Sequence, residues 1–306
     1  MRAWIFPGQG AQVVGMAQDL AKDFPIARDT LAEADDALGF SVSQLMAEGP
    51  AEALMRTANT QPAILSHSVA VVRVLQSMGS PAPDAVAGHS LGEYAALVAA
   101  DAIDFRAAVQ AVHQRGAFMQ SAVPEGLGAM AAVIGLPGDQ VAAICAENSR
   151  PEALVEAANF NDTKQTVIAG HKVAVETLAP ALKAAGARRV LSLPVSAPFH
   201  CALMAPVASQ LRPVLESMEM RDPHCPVVAN VTASPNQDGS KIVDLLISQV
   251  TGSVRWVESV QTLAQLGIKE AYELGPGRAL AGMIKRIEPD ISVTSLGTSE
   301  ALKGLS

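Results

Sequence analysis

Apolar residues follow two rhythms along this chain, and their alternation predicts strands covered by helices. Ala3-Trp4-Ile5-Phe6 is a short unbroken apolar run closed by Pro7-Gly8-Gln9-Gly10, the form of a buried strand followed by a glycine-rich turn. Spacing then shifts to threes and fours. MAQDLAKDF, PIARDTLAEADDALG and PAILSHSVAVVRVLQSMG each predict a helix, and the last two end in a glycine placed as a C-cap. DAVAG is the next strand, followed by helices over LGEYAALVAA and DFRAAVQAVHQRGAFMQSAV, the second capped by Asp104. Two strand-turn-helix units, at AWIF and DAVAG, imply a parallel sheet.

Between 126 and 195 the texture becomes strand, helix, strand, strand, helix, strand: GAMAAVIGL, PGDQVAAICAENS, ALVEAANF, QTVIAGH, VAVETLAPALKAAG and RRVLSLPV. That is the order of a ferredoxin-like unit. The expectation is a small domain at 126–195 inserted into a large α/β domain made of 1–125 and 196–306. After the insertion come the helix LMAPVASQLRPVLESM, the strand PVVANVTAS and the helices SKIVDLLISQV and RWVESVQTLAQLG. KEAYELGP, RALAGMIKRI and ISVTSL then complete a strand, a helix and a strand.

Composition narrows the possible partners. Hydrophobic residues make up 49% of the 306 but aromatic residues only 4%, so the core rests on aliphatic side chains. A net charge of -8 argues against nucleic acid as the main ligand. Cys145, Cys201 and Cys225 lack the spacing of a zinc site, and their odd number does not suggest a disulfide framework, which fits a reducing compartment. The apolar start meets Pro7 too soon for a signal peptide or a membrane span. A cytoplasmic protein, without membrane attachment, is expected.

Gly88-His89-Ser90-Leu91-Gly92 lies where a strand becomes a helix. In that geometry a serine is thrust out at the top of a sheet, and the helix start behind it offers free N–H groups to a developing oxyanion. The alternative is a tight turn with no chemistry. A serine hydroxyl needs a base, and six histidines are present. His89 is adjacent to Ser90 and should point away from it. His67 and His113 fall within helical patterns, His171 in a turn of the inserted unit and His224 in the loop DPHCP.

His200, in SAPFH, sits just past a strand, as Ser90 does, at the edge where open α/β sheets bind ligands. It is either the base or a histidine at a helix start. No acid stands at a telling position, so a backbone carbonyl is the simpler partner for it. Backbone N–H groups of Leu91 and of Gln9, in PGQG, are candidates for an oxyanion site, with a plain turn as the alternative for the latter. Arg115 could hold a carboxylate through its planar guanidinium, although composition alone favours a surface ion pair.

Taken together, FPGQGAQ, TQPAI, GHSLGEYAAL, RGAFMQ, GAMAAVIGL, NFND, TVIAGH, PVSAPFHCALM, PVVANV, VRW and ELGPGRAL resemble stretches of the malonyl-CoA:acyl carrier protein transacylase family, in its order. The resemblance implies a hydrolase-like α/β domain with a ferredoxin-like insert. It implies Ser90 as nucleophile, His200 as base, Gln9 and Leu91 as oxyanion donors, and Arg115 on the free carboxylate of malonate. It further implies that Gln249 orients the histidine through its backbone carbonyl and that Asn159 lies near the site. Malonyl-CoA and acyl carrier protein would be the partners, the enzyme a monomer, and neither metal nor redox cofactor would be needed.

An acidic carrier needs a local positive patch, for which Arg188, Arg189, Lys285 and Arg286 are candidates. A serine thioesterase using the same Ser90-His200 pair, and a non-catalytic acyl-CoA-binding protein, remain as alternatives.

Overall fold

Ala3-Trp4-Ile5-Phe6 does form a buried strand, β1 (Arg2–Phe6), with every apolar residue at 1% exposure or less. The chain is seen in a computed structural model that describes residues 1–306 except Glu125, Ser196 and Ser306. The strands that follow are β2 (Ala85–Gly88), β3 (Gly128–Ile134), β4 (Val155–Asp162), β5 (Gln165–His171), β6 (Arg189–Ser192), β7 (Val227–Val228), β8 (Pro235–Asn236), β9 (Glu270–Glu273) and β10 (Ser292–Ser295). Six of them form one sheet in the order β10-β9-β1-β2-β7-β8, parallel except for its last pair.

The other four form an antiparallel sheet ordered β4-β5-β3-β6. Helices Gly138–Asn148 and Lys172–Ala184 separate its strands and share an apolar cluster with it, including Val133, Val141, Ile168 and Leu178. The expected parallel-sheet domain and ferredoxin-like unit are therefore both present. Glu125 and Ser196, on which the expected domain junctions fall, lie outside the described residues.

Register along the large sheet decides where chemistry can occur. Phe6 stands opposite Gly88, and Ala87 opposite Val228, so the carboxyl ends of β1, β2 and β7 lie side by side. The turns that leave these three strands carry Gln9, Ser90 and Asn230. The small sheet joins the same edge. Val254 donates its N–H to Ala158 O at 2.8 Å, and Phe160 donates to Val254 O at 2.9 Å, so β4 gains a bridge to the large domain. Register shifts in β4, at Ala157/Asn159 and Phe160/Asp162, lie on either side of that bridge.

The structure departs from the sequence pattern mainly at element ends. PVVANVTAS yields only Val227–Val228 in the ladder, because Asn230 turns to bonds outside it. Short helices at Val42–Glu48, Ala51–Leu54 and Ser299–Lys303 are too brief to show a period. The helix expected from Pro62 begins earlier, at Thr57, and runs to Ser77. Proline lacks the N–H that Ala58 O would normally accept. His113 Nδ1 donates to that carbonyl instead, at 2.8 Å, which gives this histidine a structural role.

Candidate active site

Ser90 has φ 52°, a left-handed conformation that few non-glycine residues adopt and one found where a nucleophile is forced out of a sharp turn. The turn closes only because Gly88 lacks a Cβ, which would sit 1.9 Å from the Gly92 carbonyl. Asn230 clamps it from the neighbouring strand end. Its Oδ1 accepts the Ser90 N–H at 2.7 Å, and its Nδ2 donates to Gly88 O at 2.6 Å. The turn after β1 is pressed equally close, since a Cβ on Gly8 would lie 2.4 Å from His89 O. As a result Gln9 and Leu91 line the same cavity of about 150 Å³ as Ser90. Neither backbone N–H of this pair bonds to another described residue, so both are free to serve an oxyanion.

His200, also left-handed at φ 59°, places Nε2 2.7 Å from Ser90 Oγ. Its Nδ1 donates to the backbone carbonyl of Gln249 at 2.9 Å. That bond assigns the tautomer: with hydrogen on Nδ1, Nε2 is a bare acceptor facing the serine hydroxyl. A carbonyl takes the place that a carboxylate holds in a triad.

Burial, and then the positive charge of Arg115, push the His200 imidazole down to about 3, so it stays neutral and ready to accept a proton. The acid limb of kcat/KM for acylation is therefore expected well below the ordinary imidazole value of 6.5. Rapid-mixing measurement separates that limb from unfolding. His200 and the buried His67, lowered to about 4, bind protons more readily once unfolded, so stability itself falls as pH drops below 6.5. An acid limb at the ordinary value would contradict this account.

Arg115 is not at the surface, as composition suggested, but 1% exposed. The helix Phe105–Ser121 carries it inward against the helix Thr57–Ser77. Nη1 donates to Gln61 Oε1 at 2.9 Å and Nη2 to Gln249 Oε1 at 2.9 Å, with Ser90 Oγ 3.3 Å from Nη2. Both firm acceptors are neutral, and no carboxylate forms an ion pair with this guanidinium among the described residues. Other donors, Nε among them, remain uncommitted. A buried guanidinium left without an anion beside a nucleophile is suited to receive an acyl group that brings its own carboxylate.

Asn159 and Asn161 line the same cavity from β4, and His89 lines it from the turn after β2. His89 Nε2 is tied to Asn161 Oδ1 at 2.8 Å, so the histidine next to Ser90 helps join the two sheets and makes no bond to Ser90 Oγ. Sequence reasoning assigned no role to Asn230, Glu93, Gln61 or Asn161. Asn230 fell inside the expected strand PVVANVTAS, and only the end of the ladder at Val228 frees it for the turn. Among the described residues no three metal-binding side chains come together, and no helix is long and apolar enough to cross a membrane. All three cysteines are buried and unpaired.

A serine on a strand-to-helix turn, served by a neutral histidine at the carboxyl edge of a parallel sheet, defines a class: α/β enzymes of serine-based acyl transfer. Residues 3–272 match the family described as the acyl transferase domain. The malonyl CoA-acyl carrier protein transacylase of Escherichia coli (strain K12) is 49% identical over 300 residues, which cover 98% of this chain and 97% of that protein. An acyl carrier protein S-malonyltransferase from Vibrio cholerae, known from its crystal structure, superposes with a TM-score of 0.97 at 44% identity, covering 100% of this chain and 99% of that one. A malonyl-transacylase solved in complex with its type II PKS acyl-carrier protein gives 0.96 at 46% identity, covering 99% and 97%. The chain belongs to the acyl transferase domain family, as a member of its malonyl CoA-acyl carrier protein transacylases.

Proposed function

We propose that this chain transfers the malonyl group of malonyl-CoA to the phosphopantetheine thiol of an acyl carrier protein, supplying fatty acid synthesis, through a malonyl-Ser90 intermediate. The observation that carries the reading is the position of Ser90 Oγ between His200 Nε2 at 2.7 Å and Arg115 Nη2 at 3.3 Å. The base and a carboxylate receptor thus meet at one hydroxyl.

In the first half-reaction His200 takes the Ser90 proton and Oγ attacks the thioester carbonyl. The Gln9 and Leu91 N–H groups hold the oxyanion, and coenzyme A leaves as a thiol with the proton returned by His200. The carrier thiol then repeats the sequence in reverse. Gln249 fixes the imidazole through its carbonyl, Arg115 grips the malonyl carboxylate, and Asn159 bounds the pocket from the small sheet. No step calls for a metal or redox group. We assign catalysis to a domain of 1–125 and 196–306, with 126–195 inserted, in a cytoplasmic monomer.

The test is mass spectrometry of the protein after malonyl-CoA, with and without holo-carrier. Expected are a malonyl adduct on Ser90, its discharge onto the carrier and little free malonate. Free malonate as the main product would make the protein a thioesterase, and no adduct would make it a binding protein.

For carrier docking, Arg286 is already engaged, with Nε 2.7 Å from Asp162 Oδ2. Arg188, Arg189 and Lys285 are exposed and form no ion pair with a described residue. Reversing the charge of Arg188 and Arg189 together is expected to raise KM for the carrier severalfold without changing KM for malonyl-CoA. Steady-state kinetics with both substrates checks this, and an unchanged carrier KM would remove the pair from the docking surface.

A further inference from the structure

Glu93 sits in the first turn of the helix Gly92–Ala99, yet its side chain points inward and is 2% exposed. It forms no ion pair with a described residue. Its Oε2 accepts two hydrogen bonds, from the Asn230 backbone N–H at 2.9 Å and from Gln249 Nε2 at 2.8 Å. Burial pushes this carboxyl up to about 7, so holding it here is costly. The second bond suggests what is gained.

A glutamine amide can sit either way round, because its oxygen and nitrogen ends have nearly the same shape. At Gln249 the choice decides what Arg115 meets. Nε2 donates to Ser90 O at 3.1 Å and to Glu93 Oε2, which forces Oε1 toward Arg115 Nη2 at 2.9 Å. Glu93 supplies the shortest of the three bonds that hold Nε2, the others being to Ser90 O and, at 3.5 Å, to Asn230 Oδ1; without it the amide is held less firmly against turning its NH₂ toward the guanidinium, donor against donor. The carbonyl that orients His200 belongs to the backbone of the same residue and does not move with that rotation.

We infer that Glu93 is a positioning residue for acyl-group selection: through the Gln249 amide it holds the Arg115 guanidinium in the orientation that receives a carboxylate-bearing acyl group. This rests on the malonyl-transfer reading of Ser90 and Arg115. It predicts that selection and base orientation separate, although both run through Gln249.

The experiment compares malonyl-CoA and acetyl-CoA as donors to the carrier for the full-length wild type, Glu93→Ala, Glu93→Gln, Glu93→Asp and Arg115→Ala. Thermal unfolding is recorded for each. Loss of a buried hydrogen bond in a charged network corresponds to roughly tenfold or more. Glu93→Ala is therefore expected to raise KM for malonyl-CoA and to reduce the malonyl-to-acetyl preference by about that factor, with a much smaller effect on acetyl transfer. Glu93→Gln keeps an oxygen that can accept both bonds and should recover most of the preference. Glu93→Asp keeps the charge but is too short to reach both donors, so it should lower the preference. It supplies the comparison if the alanine variant does not fold.

An unaltered preference in Glu93→Ala and Glu93→Asp would overturn the inference. So would equal loss of malonyl and acetyl transfer, or a glutamine variant as damaged as the alanine one. If instead the wild type shows no malonyl preference, or Arg115→Ala loses both donors alike, the underlying reading fails and takes this inference with it, an outcome distinct from a wild type and Arg115→Ala that behave as expected beside an unaltered Glu93 series.

Discussion

Ser90→Ala is expected to eliminate the malonyl-enzyme and to lower transfer to the carrier by about 10⁴-fold or more. Losing the nucleophile of a serine-histidine site costs on the order of 10⁶, and what remains comes from oxyanion stabilisation and binding. Nothing in the variant could carry the acyl group between the two thiols, since Oγ is the atom that His200 Nε2 addresses. The fold should survive. Serine already holds φ 52° with a Cβ in place, so alanine adds no strain, and the Asn230 clamp acts on the Ser90 backbone. Intact-mass measurement, with circular dichroism as the folding control, is the check. Appreciable labelling of a folded Ser90→Ala protein would place the intermediate on another residue.

The reach of sequence reading divides along a physical line. β1, β2, the strands of the antiparallel sheet and most helices were legible because each buries a face whose apolar period appears in the chain itself. Ser90 was legible because the glycines record a close approach that only one turn geometry requires. His200 was singled out by its place beyond a strand, with a helix-start histidine as the other reading, while Gln249 and Asn159 entered only through resemblance to a family.

Glu93, Gln61 and Asn230 were not legible, for a shared reason. An acid in the first turn of a helix is an ordinary partner for the helix dipole, so Glu93 looks like a solvated residue until its burial is seen. Arg115 differs. Ala108, Val112, Arg115 and Met119 recur at helical spacing on the face that its helix buries, so the local period already argues against a surface ion pair, although it does not name Gln61 and Gln249 as the partners.

Arg115→Ala is expected to cut malonyl transfer by roughly 10²- to 10⁴-fold while acetyl transfer persists or rises. The loss follows from the carboxylate: without the guanidinium, a malonyl anion must enter a site lined by apolar Met119, Met130, Val167 and Phe199 with no charged partner, a penalty of several kcal/mol. The gain follows from the base. Arg115 is the second cause, after burial, that lowers the His200 imidazole, so its removal makes Nε2 a stronger proton acceptor for any acyl donor. On the proposed reading, a malonyl carboxylate seated on Arg115 in the wild type would offset that same charge. The substrate's own anion thereby strengthens the base that acts on it, and an acetyl group, lacking the anion, leaves His200 weaker. Initial rates with both donors, and the acid limb of acylation for each, test the two effects together. The limb for acetyl-CoA should move to higher pH in Arg115→Ala than in the wild type. A parallel loss of both activities in a folded variant would mean that Arg115 supports the site as a whole and does not select the acid.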